Sequence, residues 1–232
     1  EFSALNDFAG SAYNNIGCLF REFNPTPTGP HCYMIPAFSL YSFDYKNPTH
    51  ELIVKQIADA NGVSVEEILE WAINKIIRLW CRTALERGLL LELHAQNTLI
   101  QVDKHFKPVR IVVRDFNSVW VDAETRKNNG IESEYAKNII GISSKISRKK
   151  QYSLVYDFFV SHHFLKPFIE TCCAKYSLNY NKIKKRCKTL FSENMGEAEH
   201  ALFPDKCYGF TDELFDSKAP RVKIIRSRPF FR

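Results

Sequence analysis

At Gly88 the apolar pattern of this 232-residue chain changes its period, and that change constrains the fold more than any other feature. Upstream, Ile68, Ala72, Ile76, Leu79 and Trp80 recur at helical spacing. Ser64 and Glu67 precede them as a capping box and Arg87-Gly88 follows as a stop, so a long amphipathic helix is expected. Downstream, residues 89–97 read Leu-Leu-Leu-Glu-Leu-His-Ala-Gln-Asn, which from Leu91 on alternates apolar with polar as a half-buried extended segment does. One chain must therefore join a helical layer to a small antiparallel sheet. The class expected is α+β, predominantly helical with a β-hairpin.

The hairpin is expected from residues 98–103 and 109–115, joined by residues 104–108 and centred on Phe106. Further helices are expected over residues 49–61, 132–140, 152–165, 167–176 and 180–193, Pro167 taking the permitted first position of its helix. Residues 1–48 contain five prolines and read as a loop-rich edge rather than a domain; residues 49–232 read as one domain, with the motif segment at 88–121. With 45% hydrophobic and 25% charged residues, and no apolar run approaching ~18 residues, the composition excludes wholesale disorder and a membrane-spanning helix. A net charge of +6 suits an anionic ligand but falls short of a nucleic-acid-like balance. The seven cysteines are odd in number and contain no CxxC pair, which fits reduced thiols in a cytoplasmic protein rather than a disulfide framework or structural zinc.

The chemistry concentrates where the period changes. Alternation puts Glu92, His94 and Gln96 on one face and Leu91, Leu93 and Ala95 on the other. If Asn97 and Asp115 are equidistant from Phe106, the hairpin sets them side by side at its open end, next to Glu92 and His94. Mg²⁺ takes one or two carboxylates and completes its shell with phosphate and water oxygens, so Glu92, Asn97 and Asp115 form a candidate metal set within a nucleotide site. Protein kinases offer an analogy, with an Asn before a hairpin and an Asp-Phe after it both holding metal, but the His-Arg-Asp of their catalytic loop is absent here. No Gly-rich phosphate loop or Walker motif occurs either. The plainer alternative is that Glu92, His94 and Asp115 pair with Arg110 and Arg114 on an ordinary sheet face.

Gly88-Leu-Leu-Leu-Glu92-Leu-His94-Ala-Gln96-Asn97-Thr-Leu, followed by Arg110-Ile-Val-Val-Arg114-Asp115-Phe116, closely resembles the G-I-A-x-E-x-H-x-Q-N-x-L … R-D-F signature of the IucA/IucC (aerobactin synthetase) family of template-independent siderophore synthetases. Weaker agreement lies at Gly17 to Glu22 and in the basic stretch from Lys218 to Arg228. The resemblance covers the C-terminal part of the family's pattern; the family's N-terminal phosphate-binding Lys, Ser and Arg residues have no counterpart here. Asn117-Ser118 replaces the glycine often found after R-D-F.

What the resemblance implies is an ATP- and Mg²⁺-dependent ligase that activates a carboxylate of citrate, or of a related polycarboxylate, as an acyl-adenylate for an amine or hydroxyl co-substrate. Glu92, Asn97 and Asp115 would be metal or metal-water ligands, and His94 and Gln96 phosphate or metal-shell contacts. Arg114 would be an orienting cation, and His94 is also the candidate general base. The partners implied are the two substrates and an N-terminal part of the same protein, with a homodimer allowed for and neither nucleic acid nor membrane expected. Without a phosphate clamp, the chain alone is expected to be inactive.

Two other classes compete: a nucleotide-binding homologue without catalysis, and a basic nucleic-acid-binding protein using the runs at residues 145–150 and 182–188. His162-His163 lacks a third ligand at fixed spacing and reads as a surface or packing pair. Cys172-Cys173 invites comparison with a ferric-siderophore reductase whose iron-sulfur cluster uses adjacent cysteines followed by CxxC. Here the next cysteines are Cys187 and Cys207, so no cluster is expected.

Overall fold

The helix upstream of Gly88 is the organising element. In the computed structural model, which describes residues 2–3, 18–19, 32–115, 119–131, 147–210, 224–225 and 228–232, it spans Val65–Arg87 and is here labelled α2. The capping box forms as expected: the Ser64 side chain accepts from the Glu67 backbone N–H, and Glu67 Oε2 accepts from the Ser64 N–H. Its apolar face, from Val65 through Ile76 and Trp80 to Ala84, is buried. A shorter helix precedes it, α1 (Ile53–Asn61), which ends at Gly62 in the left-handed conformation.

Residues 1–32 form a unit of their own, in which β1 (Phe2–Ser3) and β2 (Cys18–Leu19) pair antiparallel. The second unit runs from Tyr33 to Arg232, so it begins earlier than residue 49. The reason is β3 (Tyr33–Pro36), which pairs antiparallel with β5 (Thr98–Val102) and so ties the proline-rich approach to the sheet. β4 (Leu89–Leu91) follows α2 at once and pairs with β7 (Val119–Val121); β5 pairs on its other side with β6 (Pro108–Val113). The result is a three-stranded sheet in the order β3-β5-β6 beside a two-stranded one.

The hairpin is present, with a register one residue away from that expected. The loop is Asp103–Lys107, because the Asp103 carboxylate accepts from the backbone N–H groups of His105 and Lys107 and closes the turn early. A bulge between Gln101 and Val102 then shifts the pairing to Gln101↔Arg110 and Thr98↔Val113. Asn97 therefore faces Arg114, whose N–H donates to the Asn97 carbonyl at 3.0 Å, and Asp115 lies one residue further along.

Beyond the sheet come α3 (Ala123–Asn128), capped by Asp122, and a continuous helical run: α4 (Arg148–Ser153), a π-helical segment (Leu154–Leu165) and α5 (Lys166–Tyr176). The break expected before Pro167 does not occur, since Pro167 sits in the first turn after the π segment. The π segment is apolar nearly all round and largely buried, as suits a helix in a core. The last helices are α6 (Tyr180–Met195) and α7 (Ala198–Leu202), before the antiparallel pair β8 (Gly209–Phe210) and β9 (Ile224–Ile225). The helix expected over 132–140 lies outside the described residues. The predominantly helical α+β class is the one observed.

Trp80 sits at the centre of the aromatic core, with ring centroids 4.8 Å from Tyr156, 6.0 Å from Phe203 and 6.2 Å from Tyr152. Below this cluster Asp157 is buried and takes two hydrogen bonds from Arg232 Nε, at 2.8 and 3.0 Å, and one from Ser153 Oγ at 2.6 Å. Burial pushes the Asp157 carboxyl up, opposed by these donors. Arg232 also donates to the Pro204 carbonyl and lies over the Phe203 ring.

Candidate functional site

The motif is delivered by a joint that tolerates only glycine. Gly88 has φ +59°, and a Cβ there would lie 2.7 Å from both the Asp122 carbonyl oxygen and Arg126 Cγ. The Asp122 N–H donates to the Gly88 carbonyl at 2.8 Å, so the end of α2, the start of β4 and the cap of α3 meet at one point. Trp80 Nε1 then donates to the Leu91 carbonyl at 3.1 Å, fixing the last residue of β4 to α2.

After Leu91 the chain is no longer a strand. Leu93 N–H donates back to the Leu91 carbonyl, and the His94 carbonyl accepts from the Asn97 N–H and from Thr98 Oγ1, both at 3.0 Å. The expected alternation survives in these turns. Leu91, Leu93 and Ala95 are buried, Glu92 and His94 are half-buried, and Gln96 is exposed. Asn97 is the exception, buried where the hairpin opens.

The structure brings part of the expected set together. His94 lies within electrostatic reach of Asp115, Arg114 and His163. Burial, then the charge of His163, lower its proton affinity below the ordinary histidine value, with Arg114 acting the same way and Asp115 opposing. Asp115 is exposed, at φ 63°, a left-handed conformation that aspartate adopts more readily than most residues. Of the two arginines weighed as ion-pair partners, Arg110 donates to Gln101 Oε1 at 2.6 Å and Arg114 Nε to the Gln96 carbonyl at 2.8 Å. Glu92 is held from the other sheet: Trp120 Nε1 donates to its Oε1 at 2.5 Å.

Among the described residues no three His, Cys, Asp or Glu side chains gather closely enough to hold a metal ion. A preformed cage for a transition metal is therefore not what these residues make. Mg²⁺ asks less of its protein ligands, because most of its shell comes from phosphate and water oxygens. Phe116, the last residue of the motif, and Asn117-Ser118 lie outside the described residues.

Sequence spacing missed three contributors. Trp120 orients Glu92. Phe159 and His163 come from the π segment: the Phe159 ring is 6.2 Å from His94 and 6.5 Å from His163. Neither lies near the motif in sequence, and only the long-range packing of the π segment reveals them. The pairing reading of His162-His163 holds in that their rings meet edge-on at 5.2 Å, but His163 also reaches the motif.

The cysteines stand apart from this site. Cys172 and Cys173 lie on α5 and Cys187 on α6, all buried. Burial pushes the thiols of Cys172 and Cys187, and of Cys81 on α2, up to about 12.

A family model described as "Ferric iron reductase FhuF-like transporter" matches residues 69–225, more than half of the chain. The chain belongs to that family. The synthetase resemblance of the motif is met by further comparisons. The chain is 33% identical over 109 residues to the citryl-spermidine/3,4-dihydroxybenzoyl-citryl-spermidine:spermidine ligase of Bacillus anthracis, a match over 46% of this chain and 16% of that protein. Its fold is shared with aerobactin synthetase IucC of Klebsiella pneumoniae (TM-score 0.62, 16% identity, 77% of this chain and 33% of that one). The petrobactin biosynthesis protein AsbB of Bacillus anthracis is equally similar (TM-score 0.62, 16% identity, 86% and 36%). ATP-bound aerobactin synthetase IucA of Klebsiella pneumoniae follows (TM-score 0.57, 15% identity, 76% and 33%). The chain thus spans about a third of the length of these structural neighbours. Among its described residues no helix is long and apolar enough to cross a membrane.

Proposed function

We propose that this chain is the C-terminal nucleotide- and substrate-binding portion of a cytoplasmic siderophore synthetase, an ATP- and Mg²⁺-dependent ligase that joins a carboxylate of citrate or a related polycarboxylate to an amine or hydroxyl. The observation that carries the reading is the meeting of His94 with Arg114 and Asp115 at the open end of the hairpin, two motif halves separated in sequence. Support comes from the named relatives, one of which is a citryl-spermidine ligase and another an ATP-bound synthetase.

The chemistry asked of the site follows from its reactants. A carboxylate is anionic and a poor electrophile. Its oxygen attacks the α-phosphorus of ATP, the bond to pyrophosphate breaks, and the resulting acyl-adenylate carries a good leaving group. The amine or hydroxyl then attacks the acyl carbon and AMP departs. Mg²⁺, when bound, would neutralise phosphate charge, and Asp115 with Glu92 and the Asn97 amide oxygen would hold it. Arg114, tied to the Gln96 carbonyl, orients the motif turn and adds positive charge beside the anions. His94, whose proton affinity burial lowers, can donate one hydrogen bond to a phosphate or carboxylate oxygen, or accept the proton of the incoming nucleophile. Gln96, exposed beside it, offers an amide to the same oxygens. The phosphates would be clamped by an N-terminal part like that of the longer synthetases.

The nucleic-acid alternative is disfavoured by the fate of the basic runs. Lys182 pairs with Glu66 at 2.6 Å, Lys188 donates to the Arg232 carbonyl, and Lys149 donates to the His200 carbonyl. A run in which several cations are engaged locally makes a poorer phosphate track.

Incubation with citrate, ATP, Mg²⁺ and hydroxylamine tests the reading, since hydroxylamine traps an activated acyl group as a hydroxamate with release of pyrophosphate. The protein with a full N-terminal part should form hydroxamate and the 232-residue chain alone should not. In the active protein Asp115→Ala should abolish the product while Lys149→Ala leaves it nearly unchanged. Silence of the intact protein alongside Mg-ATP binding would favour the non-catalytic homologue.

A further inference from the structure

The π segment turns Phe159 and His163 toward the motif, and no feature of the proposed chemistry yet uses them. One ring borders both imidazoles: Phe159 lies 6.2 Å from His94 and 6.5 Å from His163, and Phe158, 4.3 Å away at 84°, packs edge-on with the His163 ring. Both His94 and His163 are half-buried. An α-helix wound to a single pitch is the default for such a stretch, whereas π turns are rare and occur frequently at functional sites.

We propose that His163 is a substrate-contacting residue, a second imidazole that donates a hydrogen bond to an anionic oxygen held at His94, with Phe159 packed beside both rings. The inference rests on the reading of the motif as an anion-activating site and adds a wall to it. Two imidazoles flanked by Arg114 present N–H donors from two directions, which suits a tetrahedral phosphoryl group or one carboxylate of a polycarboxylate. A single imidazole beside Asp115 would hold either anion weakly, because the aspartate repels it. The electrostatic influence of His163 on His94 agrees with their lying beside one ring.

Phosphoryl and carboxyl oxygens share this chemistry, and two ligands tell them apart. Isothermal calorimetry of the full chain with Mg-ATP and, separately, with citrate is the measurement. His163→Phe keeps a ring against Phe158 and removes both nitrogens; it should weaken one of the two ligands about tenfold or more, the size expected for a hydrogen bond to a charged group. The ligand that weakens identifies the anion His163 touches. His163→Gln, which keeps a donor, should bind that ligand within about threefold of the unaltered chain. That rescue also shows that the loss in His163→Phe is not misfolding. His162→Phe, on the same helix and stacked on Phe230, should bind as the unaltered chain does.

Unchanged binding of both ligands by His163→Phe, while His94→Phe loses binding, would overturn the inference and leave the motif reading standing. An equal loss in His163→Phe and His163→Gln would overturn it too, because the donor would then be irrelevant. If the unaltered chain binds neither Mg-ATP nor citrate, the reading of the site falls and the inference falls with it.

Discussion

The indole Nε1 of Trp80 donates to the carbonyl oxygen of Leu91 at 3.1 Å, so the middle of the core and the motif residue just before Glu92 are one hydrogen bond apart. Through it the helix fixes where the turn containing Glu92 and His94 begins.

Replacing Trp80 by Phe removes that bond and part of a fully buried side chain. The expected cost is about 1–3 kcal/mol, roughly 1 for the hydrogen bond and the rest for lost packing. Urea denaturation should show it as a lower midpoint. Amide exchange should rise more at residues 91–97 than along α6, and a uniform rise would contradict the local role assigned here.

Gly88→Ala should be more damaging than most glycine changes in the chain. The φ of +59° strains any side chain, and the added Cβ meets the Asp122 carbonyl oxygen at 2.7 Å. A loss of about 2–3 kcal/mol is expected. Gly130→Ala, also at positive φ but with open space around it, should cost less. Equal losses in thermal unfolding would show that close approach does not matter.

Asp122 carries a pH dependence. Burial alone would raise its carboxyl, but hydrogen bonds from Arg148, Thr125 and Tyr152 outweigh burial and hold it below the ordinary carboxylate value. A group depressed on folding stabilises at every pH above its unfolded value, ~3.9, and the contribution disappears as pH falls through the folded value. Acid unfolding of the unaltered protein should therefore steepen below about pH 4. Asp122→Asn should flatten that limb and cost about 2–3 kcal/mol at neutral pH, less than a fully buried pair because Arg148 is a third exposed.

Thiol reactivity should follow burial. Cys81, Cys172 and Cys187, with thiols pushed up to about 12, should resist iodoacetamide at neutral pH in the folded protein, and half-buried Cys32 should label first. Peptide mapping by mass spectrometry resolves them. Labelling of Cys172 as fast as Cys32 would reveal an opening of α5 that its packing does not suggest.

Local signals were legible in the sequence. The Ser64–Glu67 capping box, the Gly88 stop and the burial of Leu91, Leu93 and Ala95 each depend on neighbours within a few residues, and each forms as expected. The hairpin was legible but not its register, because that depended on one side chain, Asp103, bonding its own loop, and on a bulge with no glycine to mark it. The π segment carries no composition signal that separates it from a buried α-helix. Phe159, His163 and Trp120 were invisible for the same reason: their roles exist only after distant segments pack.

The buried pair of Asp157 and Arg232 has a consequence for the timing of synthesis. The two residues are 75 positions apart, and among the described residues Arg232 is the cation hydrogen-bonded to the carboxylate. During translation at about 5–20 residues per second, the π segment leaves the ribosome roughly 4–15 s before its guanidinium is made. For that interval Asp157 must stay hydrated or be buried as the neutral acid, the form that burial favours. The native pairing of the π segment is therefore completed only once residue 232 has emerged, so ribosome-bound chains stalled before that point should be more protease-sensitive across Leu154–Leu165 than the released protein.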